Sequence, residues 1–248
     1  AGPRPGPYIK VRPMIGVTRI DTYFPRRRLD RALVAKAWGT RVAAGTRTVA
    51  GIDEDALTLA ADALLGCLGD ADPAGFDALY FASVSSPYAE KQVASVLATV
   101  ADVPRTVAVA DFTGSVRCGV TALRTALDGV RAGSLGAALV AVADARLAEP
   151  ESELEPLLGD GAAAVAVGSG REVIAELVSA ASVAEEFTYV WRTDTQRSVQ
   201  VTESRFGATY GYGRDMTEAL GLALQKAGVP PARVAQLALA APDARAAA

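Results

Sequence analysis

The feature that most constrains this fold is an alternation. Short apolar runs of strand length recur along the chain, and between them lie longer stretches with helical periodicity. "MIGVTRIDTYF" reads as a strand and "RLDRALVAKAWG" as a helix ending at Gly39. "DEDALTLAADALLGCL" reads as a helix with acids in its first turn, where they suit the helix dipole. "FDALYFASV" is a strand, "KQVASVLATVAD" a helix that stops before Pro104, and "TVAVADF" a strand. "SVRCGVTALRTALDGVRAG" is a helix, "AALVAVADA" a buried strand, and "GAAAVAVGS" a strand after a Gly-Asp-Gly turn. Apolar strands separated by helices predict a mostly parallel sheet covered on both faces.

"GSGREVIAELVSAASV" begins a second pass with another strand. A polar, aromatic stretch follows, "EEFTYVWRTDTQRSVQVTESRFGATYGYG", then the helix "DMTEALGLALQKAG" and a further strand-like run, "VAQLALAAP". No low-complexity linker separates the two passes. The last residues, "DARAAA", come soon after that run, so the second pass reads as incomplete. At the other end "AGPRPGPYIKVRP" is rich in Pro and Gly and lacks the apolar stretch of a signal peptide, so residues 1–13 read as a flexible leader. The expected organisation is therefore a leader over 1–13, a first half over 14–170 and a partial second half over 171–248.

Composition narrows the function classes. Half of the 248 residues are hydrophobic, enough for a sizeable core. A net charge of −3 without a sustained basic run gives no electrostatic case for nucleic acid. Arg26, Arg27 and Arg28 beside Pro25 read as a solvated turn, with contact to an anionic ligand as the alternative. No apolar run reaches the roughly 20 residues of a membrane span, so no membrane partner is expected. Two cysteines, Cys67 and Cys118, with no histidine cannot build a zinc site unaided. Free thiols in a chain of this size point to a reducing cytoplasm.

Five stretches together resemble one family. They are "GVTRIDTYFPRRRLDRALVAKAWG", "EDALTLAADAL", "VSSPYAEKQVASVLA", "DFTGSVRCGVTALRTALDGVRAGSLGAALVAVAD" and "LLGDGAAAVAVG". In this order they resemble 3-hydroxy-3-methylglutaryl-CoA synthase of the archaeal and bacterial type, in the thiolase superfamily with the type III ketoacyl-ACP synthases. The resemblance runs from about Met14 to about Ala241. It implies a thiolase fold, α/β, with two similar halves layered α-β-α-β-α and dimerised through the first. It implies carbon–carbon bond formation on acyl-CoA thioesters, using a cysteine that takes the acyl group, a glutamate as acid and base, and a histidine that orients the second thioester. It also implies partners: a homodimer, and a hetero-complex with a thiolase and a zinc-ribbon/OB-fold protein. No bound cofactor or metal follows from it; acyl-CoA is the expected substrate or ligand.

The chain departs from the family at the chemistry. The family nucleophile pattern Cys-Lys-Ala-Gly-Thr matches Val116-Arg117-Cys118-Gly119-Val120, so the nucleophile position falls on Val116. The family pattern Gly-Ser-Glu-Ser-x-Pro-Tyr-Ala matches Ala82 to Ala89, which puts Val84 at the glutamate position. A valine can neither attack a thioester nor carry a proton. Residues two apart on a helix point about 200° apart. Val116, Val120, Leu123, Leu127 and Val130 are expected to share one apolar stripe, and Cys118 to lie on another side with Ala122 and Thr125. Cys118 then reads as a small buried hydrophobe rather than a replacement nucleophile. It nevertheless remains the candidate catalytic residue if the chemistry has moved, with Glu90 or Ser115 assisting. Gly159-Asp160-Gly161-Ala162 keeps the family turn, and Tyr23, Pro25 and Arg28 keep the opening strand–turn pattern. The resemblance implies that Trp191, Arg205, Phe206 and Tyr212 fall where relatives begin the second half, over the acyl-CoA entrance; they read equally well as a helical packing surface.

Three functions are open to such a chain. It is a catalytically impaired, scaffold-like component of an acyl-CoA condensing system, or an active condensing enzyme with relocated chemistry at Cys118, or a non-catalytic acyl-CoA binding module.

Overall fold

The structure, a computed structural model, describes residues 13–240. All of the expected leader but Pro13 lies outside the described residues, as does the end of the chain from residue 241.

The sheet order follows from which connections can carry a helix. Parallel neighbours need a crossover, usually helical. Such a crossover joins β4 (Ala78–Ala82) to β5 (Ala108–Phe112) through α3 (Val93–Val100). Another leads through α4 (Cys118–Ala132) to β6 (Ala138–Asp144), which pairs with β4 on its other side. Between β6 and β7 (Gly161–Ser169) residues 145–160 contain Pro150 and Pro156 and form no helix, and the pairing is antiparallel. β1 (Ile15–Tyr23) joins antiparallel to β7, and the two-residue β8 (Ala175–Glu176) joins antiparallel to β1. The six-stranded order is β5-β4-β6-β7-β1-β8. The sheet is therefore mixed, not mostly parallel as the strand pattern suggested.

Both faces are covered, as expected. Side chains alternate across a strand. Leu79 and Phe81 of β4, Leu139 and Ala141 of β6, and Ala162, Ala164 and Ala166 of β7 join one core with α2 (Ala56–Leu68) and α3. Ala78 and Ala82, Ala138 and Val140, and Val167 face the other core, under α4.

Local signals set the helix ends. Asp55 caps α2 through a capping box, accepting from Thr58 N while its own N–H donates to Thr58 Oγ1. The acids thus precede and cap α2 rather than occupying its first turn. α1 (Arg31–Trp38) is capped by Asp30 and ends at Gly39, whose φ of 66° is the left-handed conformation expected at that glycine. The stretch assigned to the start of this helix, Arg28 to Asp30, instead belongs to β2 (Arg27–Asp30), paired with β3 (Thr46–Val49). Arg26, Arg27 and Arg28 are exposed, and Arg28 Nη1 donates to Pro25 O and Arg27 O.

After β8 the chain leaves the sheet. A short ribbon pairs β9 (Val190–Trp191) with β10 (Gln200–Val201). The one-turn α5 (Ser204–Phe206), a π-helical turn over Gly207–Gly213 and α6 (Arg214–Ala227) follow as one helical run. The second pass thus begins as an edge of the first sheet, and Val234–Ala240 forms no strand where the sequence suggested one. Among the described residues no helix is long and apolar enough to cross a membrane.

Candidate functional site

The C-terminal ends of β4, β5 and β6 lie side by side, and the turn into α4 opens beside them. Such strand ends are the usual ligand face of sheets built with parallel crossovers.

One carboxylate organises these ends. Asp144, the last residue of β6, accepts through Oδ1 from Ser83 Oγ at 3.0 Å, Val84 N at 2.9 Å and Ser85 Oγ at 2.8 Å. Ser85 Oγ in turn accepts from Ala145 N, and Ser83 Oγ accepts from Ser85 N. Ser83 N donates to Phe112 O across to β5. Ser83 is only 1% exposed, so this network sets the loop that carries Val84. Val84 itself packs on the apolar cluster that includes Cys118, Tyr80 and Phe112.

The turn into α4 explains where Val116 goes. Gly114 adopts a φ of 84°, Cys118 N donates to Ser115 O at 2.8 Å and Arg117 N to Ser115 Oγ at 3.2 Å. These bonds hold residues 115–117 in a turn, and α4 begins at Cys118. Val116 therefore precedes the helix and is 68% exposed. The buried stripe of α4 is Cys118, Ala122, Ala126, Leu127 and Val130. This corrects the expected stripe: Val116 and Val120 face outward, and Cys118 faces the sheet with Ala122. The physical reason is the tight approach of helix and strand, which favours small residues; a Cβ on Gly119 would lie 3.1 Å from Val142 Cγ1.

Cys118 and Val84 thus share one cluster, while Val116 stands outside it. Burial pushes the Cys118 thiol up from its ordinary value, the Asp144 carboxylate adds to this, and the N–H groups of Gly119 and Cys118 oppose it less strongly. A thiol in such surroundings is protonated near neutrality and a poor nucleophile. Cys67 is likewise buried and pushed up by burial. Ser115 is exposed in the turn, with its Oγ accepting from Arg117 N. Glu90 is exposed at a bend before α3, not within that helix, and α3 packs on the face opposite α4.

The family turn joins this arrangement from the other side. Asp160 is buried; its carboxylate accepts from Ala50 N at 2.7 Å, and its backbone pairs with Thr48. Burial pushes its carboxyl up, while the Ala50 N–H and the Arg47 charge pull it back. Tyr23 Oη donates to Glu54 beside the start of α2. Trp191 and Phe206 are partly exposed apolar groups of the following segment, and Phe206 stacks on Phe187 and contacts Tyr210. Arg205 lies exposed beside Phe206, and the Tyr212 hydroxyl is buried without a hydrogen-bond partner among the described residues.

Sequence reasoning missed Asp144, Ser83, Ser85, Arg146 and Arg192. A signal existed for the first, a lone carboxylate closing the apolar run "AALVAVAD". Arg146 follows it directly, and Arg192 reaches the same loop by donating from Nη2 to Val84 O. Among the described residues no group of three or more His, Cys, Asp or Glu side chains could hold a metal ion.

No protein-family model matches the chain. It is similar to the hydroxymethylglutaryl-CoA synthase of Thermococcus onnurineus, 31% identical over 182 residues, which cover 72% of this chain and 52% of that protein. The chain thus spans about half the length of this curated relative. A solved structure of MvaS in complex with 3-hydroxy-3-methylglutaryl coenzyme A superposes with a TM-score of 0.77 at 22% identity, covering 94% of this chain and 57% of that one. The 3-oxoacyl-(acyl carrier protein) synthase III of Pseudomonas aeruginosa superposes with a TM-score of 0.76 at 20% identity, covering 87% and 72%. The fold is the thiolase fold these proteins share.

Proposed function

We propose that this chain, which belongs to the thiolase superfamily and is related to the hydroxymethylglutaryl-CoA synthases, is the synthase-like component of an acyl-CoA condensing system and forms no acyl-enzyme by itself. The observation that carries this reading is the pair Val116 and Val84. The resemblance puts the acyl-accepting cysteine at 116 and the proton-transferring glutamate at 84, and neither valine can do that work. The thiol two residues on, Cys118, is turned into the apolar face of α4 and held protonated by its burial. In this reading residues 14–170 form the first thiolase-like half and 171–248 part of the second. The protein acts as a homodimer, in a hetero-complex with a thiolase and a zinc-ribbon/OB-fold protein, or in both, and is cytoplasmic. Acyl-CoA is its ligand.

Intact mass spectrometry after incubation with acetyl-CoA and longer acyl-CoAs tests this, with Cys118→Ala alongside. The expected result is no acyl increment on either protein. An increment on the wild type that disappears in Cys118→Ala overturns the reading in favour of an active condensing enzyme with a relocated nucleophile.

A second reading is favoured by the apolar surroundings of Val84, where Tyr80 and Phe112 meet edge to face at 5.5 Å between ring centroids. Such a wall suits an acyl chain, and the protein would then be an acyl-CoA binding module. Saturable binding of acyl-CoA by a protein that assembles with no partner would favour this second reading over the first.

A further inference from the structure

We infer that α1 with its flanking ribbon, β2 and β3, forms one self-complementary face with the loop over 149–155, and that a second copy of this chain docks there, the basic part of each copy on the acidic part of the other. The reading above allows a homodimer; this inference goes beyond it by naming which surface meets which.

Charge is sorted along this side of the molecule. Residues 26–47 hold seven cations and one acid, Asp30, in a chain whose net charge is −3. That acid is engaged in capping α1. Residues 149–155 hold four glutamates and no cation. The two stretches are neighbours in space. Glu155 Oε2 accepts from Trp38 Nε1, at the end of α1, at 2.9 Å and from Glu151 N at 2.8 Å, so Trp38 and Glu151 flank one oxygen. Arg47 Nη1 donates to Leu158 O at 2.9 Å, just past the glutamates.

The opposite charges do not cancel within the chain. Among the described residues no cation of 26–47 forms an ion pair. Arg28 donates to Pro25 O and Arg27 O, and Arg47 to Leu158 O, so these guanidinium groups meet carbonyls and not carboxylates. The Nε groups of Arg31 and Arg47 have no acceptor among the described residues. Lys36 and Arg41 on the basic part, and Glu149 and Glu151 on the acidic part, are exposed. Among the described residues the side chains of these four make no hydrogen bond or ion pair.

Apolar anchors lie within the charge. α1 buries only Val34, and Leu33 is 59% and Trp38 40% exposed. An exposed tryptophan among arginines is the composition of a protein contact. The arrangement of charge then selects the partner. A purely acidic surface would suit the arginines and set like charge against Glu149 and Glu151. Two copies related by a two-fold axis bring each basic part onto the acidic part of the other, so the match is made twice and the contact closes at two.

Sedimentation velocity of the purified chain tests this, with two charge reversals alongside. One variant carries Lys36→Glu with Arg41→Glu, the other Glu149→Lys with Glu151→Lys. The wild type is expected to dimerise, and to do so more weakly as salt rises, because salt screens exposed charge. Each variant alone sets like charges against each other at both ends of the contact and should associate about a hundredfold more weakly. Mixed in equal amounts, the two variants should regain the wild-type affinity as a heterodimer that grows no further, since the swap restores opposite charges at both ends. A monomeric wild type overturns the inference. Dimers that neither salt nor either reversal weakens overturn it as well, and leave the homodimer standing on another surface. Variants that keep the wild-type circular dichroism, lose the contact and do not recover it on mixing also overturn it. A monomeric wild type that binds polyglutamate, and loses that binding in the Lys36→Glu, Arg41→Glu variant, replaces the second copy with an acidic partner protein. None of these outcomes touches the acyl-CoA reading, which the acyl mass increment decides separately.

Discussion

Residues 14–170 and residues 171–240 are built from similar amino acids and behave differently. α2 and α6 are both apolar-striped helices of similar length, Ala56–Leu68 and Arg214–Ala227. α2 buries seven side chains against the sheet. α6 buries none, and Leu220 and Leu222 remain more than a third exposed. Among the described residues, Val199 is the only buried hydrophobic residue beyond residue 170. An apolar stripe specifies a helix and the side it wants covered, and burial depends on what stands opposite. The first region is therefore held by a packed core, and the second by a small aromatic cluster with hydrogen bonds and ion pairs at its surface.

Core truncation should separate the two regions most. Phe81, on the face of β4 that joins the core with α2 and α3, is 1% exposed, and Phe81→Ala should cost about 3–5 kcal/mol. Leu222→Ala on α6 should stay within about 0.5 kcal/mol. Denaturant unfolding of the two variants measures both, and comparable losses would break the contrast. Carboxylates that gather several donors give the next largest difference. Asp144→Ala strands two hydroxyls and one backbone N–H at a half-buried position and should cost about 1–3 kcal/mol. Glu203 accepts from Arg205 N and Phe206 N at the exposed start of α5, and Glu203→Ala should cost about 1 kcal/mol or less.

The seam between the regions is Gly16. A Cβ there would run into the backbone carbonyl of Ala175, which belongs to β8. Gly16→Ala should cost about 1–3 kcal/mol by overpacking. Hydrogen exchange should show lost protection at Ile174, whose N–H donates to Val17 O, while α2 keeps its protection. Equal loss in α2 would mean that the regions unfold as one unit.

How much of this was legible in the sequence depended on range. α3, β4, β5, β6 and β7 could be read because each combines an apolar pattern with a nearby stop such as Pro104 or Gly133. β2 and β3 were missed, since "RRLD" and "TRTV" are polar four-residue strands that exist through pairing with each other. The antiparallel turn of the sheet at β6–β7 was missed because strand direction is set by the connection, here a proline-broken stretch without a helix. At the site, the assignment of positions 84 and 116 rests on the resemblance alone, and the expected face of Cys118 is reversed in the structure. Helical phase was projected back to Val116, whereas bonds to Ser115 delay the helix to Cys118. The Asp144 network and the Arg192 contact with Val84 join residues about 60 and about 110 positions apart, which no local pattern reveals.

The smallest effect concerns charge, and it tests the same contrast. In the second region the Arg214 guanidinium is exposed and is held above its ordinary value chiefly by its bond to Glu185. Salt should screen that pair, so Arg214→Ala should leave stability unchanged at high ionic strength. In the first region burial pushes the Asp160 carboxyl above its ordinary 3.8. A raised folded value means that the folded state holds the proton more tightly than the unfolded chain. Stability from this group is then lost as pH rises from about its ordinary value through the raised one. Asp160→Asn keeps an oxygen acceptor for Ala50 N and removes the charge, so the variant should gain on the wild type across that window, in either salt condition. Unfolding curves of both proteins between about pH 3.5 and pH 7 measure it. A variant that falls behind the wild type as pH rises would mean that the Ala50 N–H and the Arg47 charge outweigh burial at Asp160, and that a specific partner governs charge in the packed region as it does at the surface.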